Sequence, residues 1–361
     1  MKGQAPCYPN GFPFTYSYKK QREKRVKPIK VGVIGLGLIW LRVHKPILAT
    51  MGDIFQPVAF CDVSEQRRAE TAAAFPGAPV LSDYQSLLQL PEVEAVLVLT
   101  PIAYNAPIAL AALAAGKDVI MEKPIARSVA EGQQLLAAAQ QAGRRLFVLE
   151  QLAYRQGEET LAKLLADGEI GDLMLWERVQ HLEADTAQGA LRYDSTAWRK
   201  AGNFPLGALF DGGIHIIASL AKVFGQPVTA SATGQQLRPD YGEYDHVVMM
   251  FQYAGGAVGL FSHSAYLAPL KNYFYIHGQT GVIVVEPHQL LVQKPNQPDR
   301  VIPLASENAY TNMWQALAHA WQTGTDPYYT AAKALADVAT LAAVDQSIKT
   351  GQRIQISAIE G

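Results

Sequence analysis

The rhythm of apolar and polar positions changes twice along the chain. From residue 30, short unbroken apolar runs at 30–34, 58–61, 95–99, 118–121 and 146–149 alternate with alanine-rich stretches. Runs of this kind suit strands covered on both faces, as in a parallel sheet. Between them residues 128–142 give the clearest helix. Ser128-x-x-Glu131 predicts a capping box, Leu135 and Leu136 supply a buried stripe, and Gly143 marks the stop. This alternation predicts a doubly wound α/β domain. After about residue 172 the pattern shifts. A helix is expected around 212–224, and from 228 to 301 the signals are strands and hairpins. Segments 247–253 and 257–264 flank Ala254-Gly255-Gly256, and segments 272–277 and 282–286 flank Gly278-Gln279-Thr280-Gly281. A mostly antiparallel sheet follows, in a second domain, and the tail from 308 to 349 returns to helix.

Composition sharpens this picture. At ~150 residues per domain, a chain of 361 residues points to two domains. With 49% hydrophobic and 17% charged residues, it can build real cores and is no disordered chain. The net charge of -1 gives no field for nucleic acid. Eight of the 31 Lys and Arg residues but one of the 32 acids fall in the first 30 positions, which leaves -8 on the remainder. That opening segment also holds Tyr8, Phe12, Phe14, Tyr16 and Tyr18 among prolines. It reads as an arm over residues 1–28, either a loose tail or an aromatic strap on the body or a neighbouring subunit. The two cysteines, Cys7 and Cys61, build no disulfide framework and fit a reducing compartment. No secretory-type apolar run and no span of ~18 apolar residues occurs, so a soluble, cytoplasmic protein is expected. His44, His181, His246, His263, His277, His288 and His319 lack ligand spacing, so no metal is expected, although His181 and His263 could reach a cleft.

Three motifs carry chemistry. In the first, Gly35 and Gly37 stand where the first strand gives way to a helix. The first glycine permits a tight turn, and the second lets backbone amides approach a pyrophosphate. The third small position is Trp40, a departure from the pattern. Asp62 follows the second strand 25 residues after Gly37, near the ~20 expected of a carboxylate that takes ribose hydroxyls. A dinucleotide site is expected, rather than a bare structural turn. Asp62 favours NAD(H) over NADP(H), because a 2′-phosphate would meet it as a like charge. NADP(H) stays open through Arg67 and Arg68, which are expected to face solvent or the sheet flank. The second motif is Met121-Glu122-Lys123-Pro124 at the end of a strand, where ligands of α/β sheets bind. Lys123 there either polarises a substrate oxygen or merely caps the strand. The third is Asp211-x-x-x-His215. Four apart on a helix, the two share one face, so a carboxylate could orient an imidazole as general base. A structural histidine is the plainer alternative.

Together these segments resemble the glucose–fructose oxidoreductase, inositol dehydrogenase and MocA family from about Lys30 to the C-terminus. The carriers are Gly35 and Gly37, Thr100-Pro101, Glu122-Lys123-Pro124, Tyr154-Arg155, Gly168-Glu169-Ile170-Gly171, Trp198-Arg199 and Asp211-x-x-x-His215. The resemblance implies a Rossmann domain over 29–150 and an α+β domain with an open, mostly antiparallel sheet over 151–361. It implies that Lys123, Asp211 and His215 are catalytic. It places Gly35, Leu36, Gly37, Leu38, Ile39, Asp62, Thr100, Pro101, Asn105, Glu122 and Lys123 at the cofactor, and Tyr154, Arg155 and Trp198 near the substrate. Asn105 stands where members often carry histidine, and Gly207 alone survives of the glycine run before Asp211. The expected activity is hydride transfer between nicotinamide and a secondary alcohol of a sugar or cyclitol. Alternatives are reduction of a tetrapyrrole or diol, a glycosidase-like use of bound NAD, or a non-catalytic dinucleotide-binding regulator. The sheet face implies a homodimer or homotetramer, with Val248, Met250, Val258 and Leu260 contributing.

Overall fold

The structure, a computed structural model, describes residues 27–182, 196–200, 204–238 and 242–359. Most of the basic aromatic arm and Cys7 lie outside the described residues.

The first sheet has six parallel strands in the order β3-β2-β1-β4-β5-β6. They are β1 Ile29–Ile34, β2 Phe55–Cys61, β3 Val80–Leu81, β4 Ala95–Val98, β5 Asp118–Glu122 and β6 Leu146–Leu149. The order reverses between β1 and β4, so the ligand crevice opens at the carboxyl ends of those strands. The helix Val129–Ala142 starts and stops as expected: the Ser128 hydroxyl accepts the Glu131 amide, and Gly143 is left-handed at the exit. The reciprocal half of the box is displaced by one residue, since Glu131 accepts the amide of Arg127.

The second sheet has nine strands in the order β14-β13-β12-β11-β7-β10-β9-β8-β15. These are β7 Leu173–His181, β8 Thr229–Gln235, β9 His246–Gln252, β10 Val258–Ser264, β11 Tyr273–Gly278, β12 Val282–Glu286, β13 Gln289–Gln293, β14 Arg300–Pro303 and β15 Ile354–Gln355. Both expected hairpins form. The central strand β7 escaped the sequence pattern; it pairs parallel to β10 and antiparallel to β11. Its Trp176 stacks on Phe224 with centroids 5.2 Å apart and fills the space over Gly259, where a Cβ would stand 2.1 Å from the indole. Losing so large a buried ring would cost about 3–5 kcal/mol.

The tail returns to helix as expected, in two segments. Ala309–Thr323 ends at left-handed Gly324, and Ala331–Thr350 follows. The first of them returns to the parallel sheet, where Met313, Trp314 and Leu317 share a core with Val31, Val33 and Leu97. Among the described residues, no helix is long and apolar enough to cross a membrane.

Candidate active site

The glycine loop is built for close approach. Gly35 has a φ of 100°, and a Cβ there would press to 2.6 Å from the carbonyl of Leu99, while at Gly37 it would meet nothing. The chain therefore clears a cradle at Gly37, just before the helical turns that contain Leu38 and Ile39. Asp62 closes one side of the loop. Its carboxylate accepts the amide of Leu36 at 2.7 Å and that of Ser64 at 2.8 Å. Lone pairs remain for ribose hydroxyls, so these residues fit a dinucleotide. Trp40 is accommodated rather than harmful. It is fully buried against Phe60 and Phe75 at the head of a π-helical turn, Trp40–His44. Arg67 faces outward to Glu70, but Arg68 does not behave as expected. Its guanidinium folds back to donate to the carbonyls of Asp62 and Val63 at 2.9 and 3.0 Å.

At the exit of β4, Thr100 donates to Asn105 Oδ1 at 2.9 Å, and Asn105 Nδ2 donates to the Glu122 carbonyl at 3.4 Å. Asn105 thus ties the loop of Thr100 and Pro101 to the strand end that carries Lys123. Beneath it, Trp314 Nε1 donates to His44 Nδ1 at 3.1 Å, so His44 carries its proton on Nε2 and donates to Glu122 Oε1 at 2.9 Å. The Glu122 carboxylate is thereby held by protein groups.

Lys123, Asp211 and His215 do converge, with one change of partner. Lys123 Nζ donates to the carbonyl of Asp211 at 2.5 Å and reaches its Oδ1 at 3.3 Å. Arg199 Nε holds the other oxygen, Oδ2, at 2.5 Å. Burial pushes the Asp211 carboxyl up, but the Lys123 and Arg199 cations outweigh it and hold it at about 2. Asp211 does not orient the imidazole. His215 Nδ1 donates instead to Glu150, 2.7 Å from Oε2 and 2.9 Å from Oε1. Asp211 lies in a π-helical turn, Leu209–Gly213, and His215 in the α-helix Ile214–Phe224. Lys123 and Arg199 take the two Asp211 carboxylate oxygens, and the imidazole turns to Glu150. Glu150 is fully buried directly after β6 and also accepts the Leu152 amide at 3.0 Å.

The remaining expected contacts divide. Tyr154 turns inward. Its hydroxyl accepts the Tyr329 amide at 3.2 Å, and burial raises it well above the usual phenol range. One lone pair of the hydroxyl is thereby taken by the protein. Arg155 remains half exposed, with Nη1 4.0 Å from Glu158. Trp198 lies under the Arg199 guanidinium, 4.1 Å from it, and edge-on to Phe204. His263 sits on the inner face, close to Gly213, but His181 shares the outer face with Ser262 and His246. Glu150 and Arg199 are the site groups that spacing missed. Glu150 was findable, because it occupies the carboxyl end of a parallel strand.

A parallel, nucleotide-type sheet joined to a second, open sheet is the architecture of a class of oxidoreductases. The chain belongs to the glucose–fructose oxidoreductase, inositol dehydrogenase and MocA family. Residues 29–150 match its oxidoreductase, NAD-binding Rossmann fold domain and 159–284 its GFO/IDH/MocA C-terminal domain. The trans-1,2-dihydrobenzene-1,2-diol dehydrogenase of Oryctolagus cuniculus is 34% identical over 252 residues, covering 67% of this chain and 71% of that protein. The scyllo-inositol 2-dehydrogenase (NADP(+)) of Bacillus subtilis is 27% identical over 259 residues, covering 71% and 68%. A Thermotoga maritima oxidoreductase superposes with a TM-score of 0.84 at 24% identity, over 92% of this chain and 100% of that one. Levoglucosan dehydrogenase in complex with NADH and L-sorbose gives 0.78 at 22% identity, covering 92% and 100%. The protein is thus a nicotinamide-dependent oxidoreductase that acts on alcohol groups.

Proposed function

We propose that the cleft interconverts a secondary alcohol and a ketone on a polyhydroxylated substrate, a sugar or cyclitol, with NAD(H) preferred. The observation that carries this reading is a Glu150-held imidazole beside the Lys123–Asp211 pair. When bound, the nicotinamide supplies the hydride acceptor or donor. With Nδ1 engaged by Glu150, His215 has Nε2 left to exchange the hydroxyl proton. As the imidazole takes that proton, the buried carboxylate offsets the new charge. Lys123 holds and polarises the oxygen, and Asp211 keeps the ammonium in place. Arg199 closes the same ion group from the other side.

The inositol and dihydrodiol dehydrogenases among the relatives support a vicinal hydroxyl substrate, and the second of them keeps a non-sugar diol as the alternative. A purely regulatory binder has no need of such a proton-exchange group. A substrate screen following the absorbance of reduced nicotinamide tests the reading. His215→Ala and Lys123→Ala should each lower kcat by roughly 10²–10⁴, the histidine variant keeping its cofactor affinity. Turnover within a few-fold of the parent for His215→Ala would remove that residue from proton transfer.

A further inference from the structure

The inner face of the second sheet carries a cation that the proton-transfer scheme leaves unused. Arg178 stands on β7 opposite Phe261 of β10 and Phe274 of β11. Its guanidinium lies 4.9 Å over the Phe274 ring, and Nη2 donates to Gln180 Oε1 at 2.8 Å. Among the described residues it pairs with no carboxylate. Burial pulls the guanidinium down to about 10, with Glu158 acting against this and Arg155 adding to it. Glu158 is engaged elsewhere: its Oε1 accepts the Ser219 hydroxyl at 2.9 Å and faces Arg155 at 4.0 Å. Glu158 is thus shared between Ser219 and Arg155, and Arg178 forms no ion pair among the described residues. Arg178 as a residue nonetheless keeps some accessible surface.

This part of the inner face adjoins the candidate catalytic groups. Gln180 pairs in register with His263, whose Nε2 lies 3.4 Å from where a Cβ on Gly213 would stand. Gly213 falls between Asp211 and His215, and Ser219 is one turn beyond His215 on the same helix. His263 adds no charge near neutrality, because burial, then His181, His246 and Arg178, push it down to about 4. A half-buried guanidinium without a counter-charge is costly until something pairs with it. Its planar fork matches a carboxylate through two parallel hydrogen bonds.

We propose that Arg178 is a substrate-recognition residue for a carboxylate, which makes the preferred substrate a sugar acid or related polyhydroxy acid. The inference rests on the polyol reading given above. One spare positive charge matches a monoanion, whereas a dianionic phosphate would leave a negative charge unpaired.

The test is equilibrium binding to the full chain loaded with NADH, using the pairs glucose and glucuronate, and galactose and galacturonate. Glucose 6-phosphate serves as the phosphate probe. At least one acid should bind about tenfold or more tightly than its neutral partner. Arg178→Gln should bring that ratio to about one while NADH affinity reports an intact fold. Should that variant not fold, the parent's own salt dependence decides, since added chloride should weaken the acid selectively. Equal affinity within every pair, a ratio that survives Arg178→Gln, a salt-independent ratio, or preference for the phosphate would each overturn the assignment. Oxidation of neutral sugars without acid preference overturns this inference alone. Acids that bind through Arg178 yet never turn over would instead count against the alcohol-oxidation reading.

Discussion

Glu150 Oε2 and His215 Nδ1 meet at 2.7 Å although 65 positions separate them in the chain. The contact joins the end of β6 to the first turn of the helix Ile214–Phe224 and fixes which imidazole nitrogen faces the cleft. Glu150→Gln keeps the shape but removes the charge that stabilises a protonated imidazole. Turnover should fall by about 10²-fold while cofactor affinity is kept. Turnover within a few-fold of the parent's would exclude Glu150 from positioning the base.

Cofactor choice depends on Asp62 and on what lies beside it. The carboxylate should make the parent prefer NAD(H), since each charge-assisted hydrogen bond to ribose contributes ~1.5–3 kcal/mol. Arg68, bonded to the carbonyls of Asp62 and Val63, is the cation placed to receive a 2′-phosphate once the acid is gone. Asp62→Ser should shift the kcat/KM ratio toward NADP(H), and adding Arg68→Ala should cancel the gain. A parent already favouring NADP(H) would defeat this expectation.

The outer face of the second sheet leaves Val248, Met250 and Leu260 at 40%, 37% and 40% exposure. Met250 stands opposite Leu260, and Tyr273 stacks on Tyr275 nearby at 5.2 Å. Such a row on one face invites a second copy of the chain. Light scattering should report a dimer or tetramer, and Leu260→Glu should lower the mass without unfolding the protomer. A monomeric parent at micromolar concentration would rule the interface out.

Asp337 sets a pH dependence of stability. Burial raises its carboxyl to about 7, against the opposing hydrogen bonds from Tyr329 and Gln226. Its folded value exceeds the unfolded one, so its contribution is fully present below about pH 4 and is lost as pH rises through about 7. Asp337→Asn should therefore raise Tm at pH 8 more than at pH 5. Thermal melts that show the same difference at both values would contradict the assignment.

Local signals were the legible ones. The turn at Gly35 and Gly37, the cap at Ser128 and the Lys123 strand end depend on neighbours within a few residues, and each formed as expected. Strand β7 was not legible. Its inner face mixes Trp176 with Arg178 and Gln180, and its outer face mixes Leu175 and Val179 with Glu177, so no clean alternation survives. The partner of His215 was misread for a related reason. The four-residue spacing could not show that Lys123 and Arg199, from other elements, take both Asp211 carboxylate oxygens. The carboxylate that replaced Asp211 lies on another element, and no local period reports such a pairing.

The helix Ala309–Thr323 gives the nucleotide domain a wall made of the chain's last quarter. Trp314 touches Phe55, donates to His44 and through it steadies Glu122, beside Lys123. Residues 29–150 therefore make a poor transplant: grafted alone into another enzyme, they would arrive with a hydrophobic gap where Met313, Trp314 and Leu317 belong and with His44 lacking its indole donor. Swapping cofactor domains between relatives would have to carry this distant helix along, and a stop codon just before it would damage the dinucleotide cleft as well as strip β15 from the second sheet.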